Sequence, residues 1–514
     1  MKTALREIVE SILSGEIYSQ SHLEERKRQV GRSYGLDSLP SNADILSIAS
    51  VDEKERLKLL IRKPTRTLSG VAVVAAMTSP APCPHGVCVP CPGGLQKMSP
   101  QSYTGMEPAA MRAIQHDYDP YSQVASRLSM LDEIGHPVDK VDLIVMGGTI
   151  TSRPIGYQWW FVKRCIEAMN DYPNFSSSAS SDQLCFSDVA LKNEHSSVRN
   201  VGTTFETRPD WCGPVQIRNM LAMGGTKVEL GVQSTDDSIL EEMRRGHTLE
   251  DSISANKSLR EAGLKVGFHM MPGLPGSNLD LDLQCFRDLF QREDLRPDYL
   301  KIYPALVIEG TSLYERYIRG EYRPLEAAEA AMLISRIKEI IPPYTRLQRV
   351  QRDIPAHQIV AGVTKSNLRQ LAQERLLARG GSCQCIRCRE AGIRGAPEKM
   401  DVSFRLMKYH ACGGEEHFLS YEGADGTLVG FLRLRLSGAA RVRELHIYGP
   451  MTPLGKRGGW QHRGYGSKLL RRAEEMAMDA GYRALEVTSG IGARPYYRRR
   501  GYVLEEPYMR KELV

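Results

Sequence analysis

Three of the chain's eleven cysteines, Cys83, Cys88 and Cys91, fall within nine residues. Thiols this closely spaced, in a chain without a secretory signal, favour metal binding over disulfide bonds. A structural zinc site closes with four ligands, whereas an iron–sulfur cluster held by three cysteines leaves one iron open to a substrate. The triplet therefore predicts a [4Fe-4S] cluster. Zinc, with His85 or a more distant residue as the fourth ligand, is the alternative.

The cysteine triplet directly follows a short apolar run that is typical of a buried parallel strand. Further apolar runs alternate with stretches long enough to form helices, which predicts an α/β fold with a partial (β/α)6 barrel. In such barrels the chemistry lies at the carboxyl ends of the strands. The triplet and the later strand ends should therefore share one site. The predicted strands are residues 70–77, 140–147, 200–206, 227–231, 265–271 and 299–304.

A second group of three cysteines, Cys383, Cys385 and Cys388, lies in a connection rich in glycine and arginine. This setting favours structural zinc, because a metal can stiffen a loop too polar to fold alone. A second iron–sulfur cluster and three free thiols are the alternatives. Candidates for a fourth ligand are Cys412, His410 and His357.

Near the carboxyl end of the chain, a glycine-rich segment opens an amphipathic helix. Gln461, Gly464 and Gly466 precede apolar residues that recur on one helix face, and predicted strands at 428–436 and 441–448 come before them. Unpaired backbone N–H groups and the helix dipole attract anions to such a helix start. The segment therefore predicts a pyrophosphate site, with a plain strand–helix turn as the alternative.

Length, charge and hydropathy narrow the class to which the protein can belong. A chain of 514 residues with a net charge of +7 can form several domains, and it has no apolar run long enough to span a membrane. We therefore expect a soluble, cytoplasmic protein with no signal peptide. Basic residues crowd positions 26–28 and 62–66, so residues 1–65 are predicted to form a helical basic segment that contacts RNA. An ordinary solvated basic face is the alternative.

The cysteine triplet after the first strand of a partial barrel resembles the radical S-adenosylmethionine (SAM) enzymes. The resemblance implies that Cys83, Cys88 and Cys91 hold a [4Fe-4S] cluster whose open iron binds SAM. Four residues separate the first two cysteines here, whereas three are usual, which fits a subfamily. The strand-end residues that would bind the cofactor are Gly147, Gly148, Glu206 and Gln233.

Residues 401–514 are similar to the GNAT acetyltransferases, which bind the pyrophosphate of acetyl-CoA on a loop like 461–466. In that family a tyrosine near the last helix often protonates the departing CoA thiolate. Tyr497, with Tyr496 beside it, matches this position as the candidate catalytic residue. A phenol suits the role because it is mostly protonated at neutral pH, although packing at a cleft is the alternative interpretation of the pair.

Further motifs make the whole chain resemble the family of Elongator catalytic subunits, in a form found outside eukaryotes. They include Gln101-Ser-Tyr-Thr-Gly, Glu206-Thr-Arg-Pro-Asp and Lys301-Ile-Tyr-Pro. The family implies a radical SAM domain at 66–370, a zinc-binding linker at 371–400 and a GNAT domain at 401–514. Lys140 is an unexpected implied contact, because it stands at the start of a barrel strand. The implied acetyl-CoA contacts are Lys140, Glu444, Leu445, His446, Ile447, Gln461, Gly464, Tyr465, Gly466, Ser467 and Tyr497.

The resemblance implies an acyltransferase that makes carboxymethyluridine in the tRNA anticodon loop. A radical derived from SAM would remove hydrogen from the methyl group of acetyl-CoA, and the acetyl radical would add to carbon 5 of the wobble uridine. Thioester hydrolysis would then leave the carboxymethyl group. The implied partners are tRNA, acetyl-CoA and an electron donor, with no membrane, and a homo-oligomer is an open alternative. The rival function is a protein lysine acetyltransferase with a structural iron–sulfur cluster.

Overall fold

The computed structural model describes residues 1–62, 67–175, 184–397, 399–449, 460–461 and 463–513. Of the basic positions noted above, Lys63 and Arg66 lie outside the described residues. Among the described residues, no helix combines the length and apolar character needed to cross a membrane.

The amino-terminal segment folds into four helices around a small apolar core of its own. Lys27, one of the basic residues predicted to contact RNA, lies inside this bundle and is only 5% exposed. Its ammonium group contacts the carboxylate of Glu24 and the amide of Asn42, so that part of the RNA prediction is wrong. Arg28 remains exposed on the same helix. The helices are α1 (Lys2–Leu13), α2 (Gln20–Ser33), α3 (Asn42–Ser47) and α4 (Val51–Arg56).

A parallel sheet of seven strands forms the central domain, in the order β1-β2-β3-β4-β5-β6-β8. All six predicted strands are confirmed. The seventh strand was not predicted, because its sequence Arg-Leu-Gln-Arg contains a single apolar residue. The strands are β1 (Ala72–Met77), β2 (Lys140–Met146), β3 (Arg199–Thr207), β4 (Lys227–Gln233), β5 (Lys265–Met270), β6 (Tyr299–Ile302) and β8 (Arg346–Arg349), and β7 (Val307–Ile308) pairs with β9 (Ile359–Ala361).

Helices connect these strands and enclose a large apolar core against them. Short helices also fill the connection to the last domain. The helices are α5 (Pro108–Gln115), α6 (Pro120–Glu133), α7 (Ile155–Asp171), α8 (Phe186–Asn193), α9 (Pro214–Ala222), α10 (Asp237–Glu242), α11 (Leu249–Glu261), α12 (Leu279–Gln291), α13 (Ser312–Ile318), α14 (Ala327–Ile340), α15 (Leu368–Ala378), α16 (Ile386–Arg389) and α17 (Ala391–Arg394).

The inside of the barrel is polar rather than apolar. Glu229 on β4 lies at its centre, where it contacts His269 at 2.9 Å, Lys227 at 3.1 Å and also Lys301. Burial alone would raise the pKa of Glu229, but Lys301 and Lys227 overcome this effect and hold it well below the usual range. The interior therefore carries paired charges instead of the aliphatic layers of a closed barrel.

The carboxyl-terminal domain has a second sheet of seven strands, in the order β10-β11-β12-β13-β14-β16-β15. Helix α18 packs on it through Leu469, Leu470, Ala473 and Ala477, as its apolar periodicity predicts. The elements are β10 (Val402–Ala411), β11 (Gly414–Gly423), β12 (Leu428–Ser437), β13 (Ala439–Ile447), α18 (Tyr465–Asp479), β14 (Ala484–Val487), α19 (Arg494–Arg498), β15 (Val503–Glu505) and β16 (Tyr508–Glu512).

A buried network of ion pairs joins the two domains. Arg443 on β13 donates to both carboxylate oxygens of Asp298, at 2.7 and 2.8 Å, and to Glu416 at 2.8 Å. Arg433 contacts Glu444 at 2.9 Å and Asp298 at 3.4 Å. Removing one partner from such a network costs about 3–5 kcal/mol, because a buried charge is left unpaired. The interface therefore fixes the two domains relative to each other, and its other buried members are Arg260, Arg435 and Tyr299.

Candidate active site

The cysteine triplet lies in the loop after β1, at the carboxyl edge of the barrel sheet. The imidazole of His85 stands between two of the thiols, 3.2 Å from Cys83 and 2.9 Å from Cys88. Among the described residues, the sulfurs of Cys83, Cys88 and Cys91 do not form a group within 4.8 Å of one another, as ligands of a single ion would. This wider spacing fits a cluster of several irons better than a zinc ion.

Two glycines shape the turn after β2, beside the cysteine loop. Gly147 has φ +124°, and a Cβ there would lie 2.1 Å from the hydroxyl of Thr78. Only glycine fits this position. Gly147 packs against Thr78, directly after β1. Gly148, with φ +88°, instead lines the cavity beside the cysteines. Of the two predicted cofactor contacts, the structure thus brings Gly148 to the site.

The ends of β3 and β4 supply polar groups to the same cavity. Glu206 accepts hydrogen bonds from Tyr103 at 2.8 Å and Lys301 at 3.0 Å. Gln233 differs, because its side-chain oxygen is buried and has no hydrogen-bond partner among the described residues. An unpaired buried acceptor is costly, so this atom fits a donor group on a bound ligand. The residues present therefore fit a cofactor beside the cysteine loop.

Sequence reasoning gave no role to Tyr103 or Lys301, although both lie in motifs that support the family resemblance. Both donate hydrogen bonds to Glu206, which belongs to a third of these motifs. Arg245 was also missed. It follows a helix rather than a strand, yet its guanidinium donates to Cys88 at 3.2 Å. Nothing in the local sequence marks it, because the contact joins residues far apart in the chain.

The glycine-rich segment lies at the start of α18, as predicted. Gly464 has φ +88° and precedes the first helical residue, and a Cβ on Gly466 would lie 2.9 Å from the hydroxyl of Tyr496. Gln461 donates to the carbonyl of Ile447 at 3.2 Å. Tyr465 and Ser467 line the same cavity. Free N–H groups in the first turn of this helix suit an anion.

The contact between the two domains explains how Lys140, at the start of a barrel strand, can lie near the predicted acetyl-CoA site. Its ammonium group donates to the side-chain oxygen of Gln461 at 2.9 Å. The amino ends of the barrel strands thus face the carboxyl-terminal domain, while their carboxyl ends face the cysteines. A residue at a strand start can therefore belong to the predicted pyrophosphate site. Burial lowers the pKa of Lys140.

The tyrosine pair lies beside the start of α18. Tyr497 is 6% exposed, and burial raises its pKa well above the ordinary value, so that its phenol stays protonated at neutral pH. The hydroxyl of Tyr496 is buried without a partner among the described residues. Its ring lies 3.6 Å from the guanidinium of Arg500, which donates to Ser467 at 2.6 Å.

Strand β13 offers an open edge to the cavity. It pairs with β14 only over Ala440–Val442, so the segment 444–447 has no strand on that side among the described residues. The side chains of Glu444 and His446 point to other partners: Glu444 contacts Arg433 and Tyr299, and His446 contacts the carbonyl of Ser69. Any contact of this segment with an amide-containing ligand would therefore use its backbone. Leu445 and Ile447 also line the cavity.

One cavity of about 1930 Å³ connects these two regions through the barrel. Its wall includes all three cysteines of the first triplet at one end and the start of α18 at the other. The polar side chains inside the barrel line the cavity between these two ends. Tyr496 and Tyr497 line it near the start of α18.

Four segments of the chain match known protein families. Residues 1–68 match the ELP3 N-terminal domain, 83–283 the radical SAM superfamily, 297–378 the radical SAM C-terminal domain and 389–502 the GNAT acetyltransferase family. The tRNA uridine(34) acetyltransferase of Methanocaldococcus jannaschii is 44% identical over 100% of this chain and 98% of that relative. Elongator complex protein 3 of Danio rerio is 40% identical over 99% of this chain and 96% of its own length.

The chain belongs to the Elongator complex protein 3 family.

A solved member of the Elongator complex protein 3 family has the same architecture. The structure of archaeal Methanocaldococcus infernus Elp3, with residues 1–46 deleted, covers 87% of this chain and 100% of its own, at 41% identity and a TM-score of 0.75. The predicted family and the predicted fold, a radical SAM barrel followed by a GNAT domain, are thereby confirmed. The two domains imply a [4Fe-4S] cluster, SAM and acetyl-CoA as ligands.

The second cysteine group of this family member differs from the first. The sulfurs of Cys383, Cys385 and Cys388 all lie within 4.8 Å of one another, close enough to bind a single ion. None of the candidates for a fourth ligand belongs to this group. Cys412 instead accepts a hydrogen bond from Asn256 at 3.1 Å, and His410 and His357 are exposed elsewhere.

Proposed function

We propose that this protein joins the methyl carbon of acetyl-CoA to carbon 5 of the wobble uridine in tRNA, and that hydrolysis of the thioester then leaves a carboxymethyl group and releases CoA. The observation that carries the proposal is the single cavity between the cysteine triplet and the start of α18. An enzyme that used the two sites for separate reactions would need no connection between them. Relatives named tRNA uridine(34) acetyltransferase support tRNA as the substrate.

Different residues along this cavity would bind acetyl-CoA, bind the cofactor and transfer a proton. The first turn of α18 would bind the CoA pyrophosphate, and the open edge of β13 would pair with the amides of the pantetheine arm. Gln233 would accept a hydrogen bond from the cofactor at the other end. When bound on the cysteine triplet, the cluster and SAM supply a radical that can abstract hydrogen from a methyl group. The phenol of Tyr497 would protonate the CoA thiolate after hydrolysis.

Arginines from the last part of the barrel support a nucleic-acid substrate. Arg349 is half exposed on β8, and Arg352 lies over the ring of Tyr103 near the cysteines. Cations hold the phosphate backbone, and aromatic rings stack on unpaired bases of an RNA loop. We propose that the anticodon loop enters here, with the amino-terminal helices contributing further contacts.

The tyrosine pair gives a prediction that separates chemistry from binding. Tyr497→Phe should lower thioester turnover by about 10²-fold, because the general acid is lost, with acetyl-CoA affinity unchanged. Tyr496→Phe should instead weaken acetyl-CoA binding, because its hydroxyl lies beside Gly466. Steady-state kinetics and calorimetric binding distinguish the two. Equal kcat for wild type and Tyr497→Phe would contradict the assigned role.

We also propose that Cys383, Cys385 and Cys388 bind zinc. Three sulfurs within 4.8 Å supply most of a tetrahedral thiolate site. Cys383→Ser should lose zinc and lower Tm while the iron content stays that of the wild type. Metal analysis and thermal unfolding measure these effects, with the exposed Cys185→Ser as control. Loss of iron from the Cys383 variant would mean that the roles of the two cysteine groups are reversed.

The proposed function is tested by following the acetyl carbon. Reduced enzyme with SAM and acetyl-CoA labelled at the methyl carbon should place the label on a tRNA uridine, and tRNA should stimulate acetyl-CoA hydrolysis. A protein lysine acetyltransferase would instead be stimulated by a lysine peptide and would need no SAM. Stimulation by the peptide alone would therefore favour the rival function. The reaction also requires an external electron donor, which dithionite replaces in this assay.

A further inference from the structure

Each thiol of the first cysteine triplet has a hydrogen-bond partner on a different element. The hydroxyl of Thr149, after β2, lies 3.5 Å from Cys83. The backbone N–H of Ser102 donates to Cys91 at 3.2 Å. Cys88 contacts the imidazole of His85 at 2.9 Å and also receives a hydrogen bond from a cation, the guanidinium of Arg245. Hydrogen bonds to the ligand sulfurs are one of the properties that set the reduction potential of an iron–sulfur cluster.

Arg245 is held in place by its backbone surroundings rather than by an acid. One terminal nitrogen donates to Cys88 at 3.2 Å, and the other donates to the carbonyl of Gly231 at 2.8 Å. Within the part of the chain that the structure describes, no carboxylate forms an ion pair with it. The nearby Arg208, in contrast, is paired with Asp210 at 2.8 Å. The charge of Arg245 is therefore available to the sulfur it contacts.

We propose that Arg245 sets the reduction potential of the cluster, with the two neutral donors adding a smaller effect. Reduction adds one negative charge to a site that already carries three thiolates. A half-buried guanidinium beside Cys88 stabilises the reduced form more than the oxidised form, and it therefore raises the potential. The inference depends on the cysteine triplet as the cluster ligands, but not on tRNA or acetyl-CoA.

The test measures the potential of the anaerobically reconstituted full-length protein without tRNA or acetyl-CoA. Redox titration followed by electron paramagnetic resonance should give a lower midpoint for Arg245→Gln than for the wild type. Arg245→Lys keeps the charge and should stay closer to the wild type. Thr149→Val removes only a neutral donor and should lower the midpoint less than Arg245→Gln. Arg244→Gln, an exposed neighbour of the same charge, is the matched control and should change nothing.

Each outcome decides the proposal. A wild-type midpoint in fully loaded Arg245→Gln would overturn it, as would an equal shift in Arg244→Gln. If Arg245→Gln fails to bind iron while Arg245→Lys loads normally, the residue acts in cluster assembly and the redox role is wrong. Since labelled tRNA plays no part in the measurement, failure of the proposed function leaves this result intact.

Discussion

Replacing Cys83, Cys88 or Cys91 with serine should abolish SAM cleavage. A serine hydroxyl is a poor ligand for iron compared with a thiolate, so each variant should lose most of its cluster. Among the described residues, no other cysteine hydrogen-bonds to these three, so no further thiolate stands ready to replace a lost ligand. Iron and sulfide analysis, absorbance and the yield of 5′-deoxyadenosine would measure the loss of the cluster.

The matched control is Cys285→Ser, which changes a buried cysteine on helix α12. It should keep the cluster and the cleavage activity. If the three triplet variants keep iron and still cleave SAM, the ligands lie elsewhere, and the second cysteine group becomes the candidate. Zinc retained in all four variants would confirm that the folded domains survive substitution.

Gly466→Glu should abolish acetyl-CoA binding and, with it, formation of the modified uridine. A Cβ at this position already lies 2.9 Å from the Tyr496 hydroxyl, and the carboxylate would repel the pyrophosphate at the start of α18. Calorimetry should detect no binding. The variant should nevertheless assemble its cluster and bind tRNA, because both sites lie at the other end of the cavity.

Met478→Glu is the control, since it adds the same charge to the exposed far end of the same helix. Its acetyl-CoA affinity should equal that of the wild type. Wild-type yield of modified uridine from Gly466→Glu would mean that the transferred carbon does not come from CoA-bound acetate, and the proposed reaction would then be wrong.

The sequence predicted what depends on local patterns. The six apolar strands, the cysteine triplet and the glycines before α18 are all short-range signals, and the structure contains each of them. The seventh strand was missed because Leu347 is its single apolar residue, flanked by polar and charged side chains. The roles of Lys140 and Arg245 depend on contacts between residues more than 150 positions apart in the chain, and such contacts follow from tertiary packing. The buried position of Lys27 likewise depends on the fold of the helical bundle.

The ion pairs between the domains also limit how this protein can change by recombination. Asp298 belongs to the barrel, yet two of its three arginine partners, Arg433 and Arg443, come from the carboxyl-terminal sheet, while Arg260 comes from the barrel itself. A GNAT domain inherited from another gene would bring its own residues to those positions, and among the described residues the buried carboxylate of Asp298 would keep Arg260 as its one ion-pair partner. We therefore expect the two halves to be inherited as one unit. Homologues should vary together at these three positions, and swapped chimeras should fold only when both arginines are carried along.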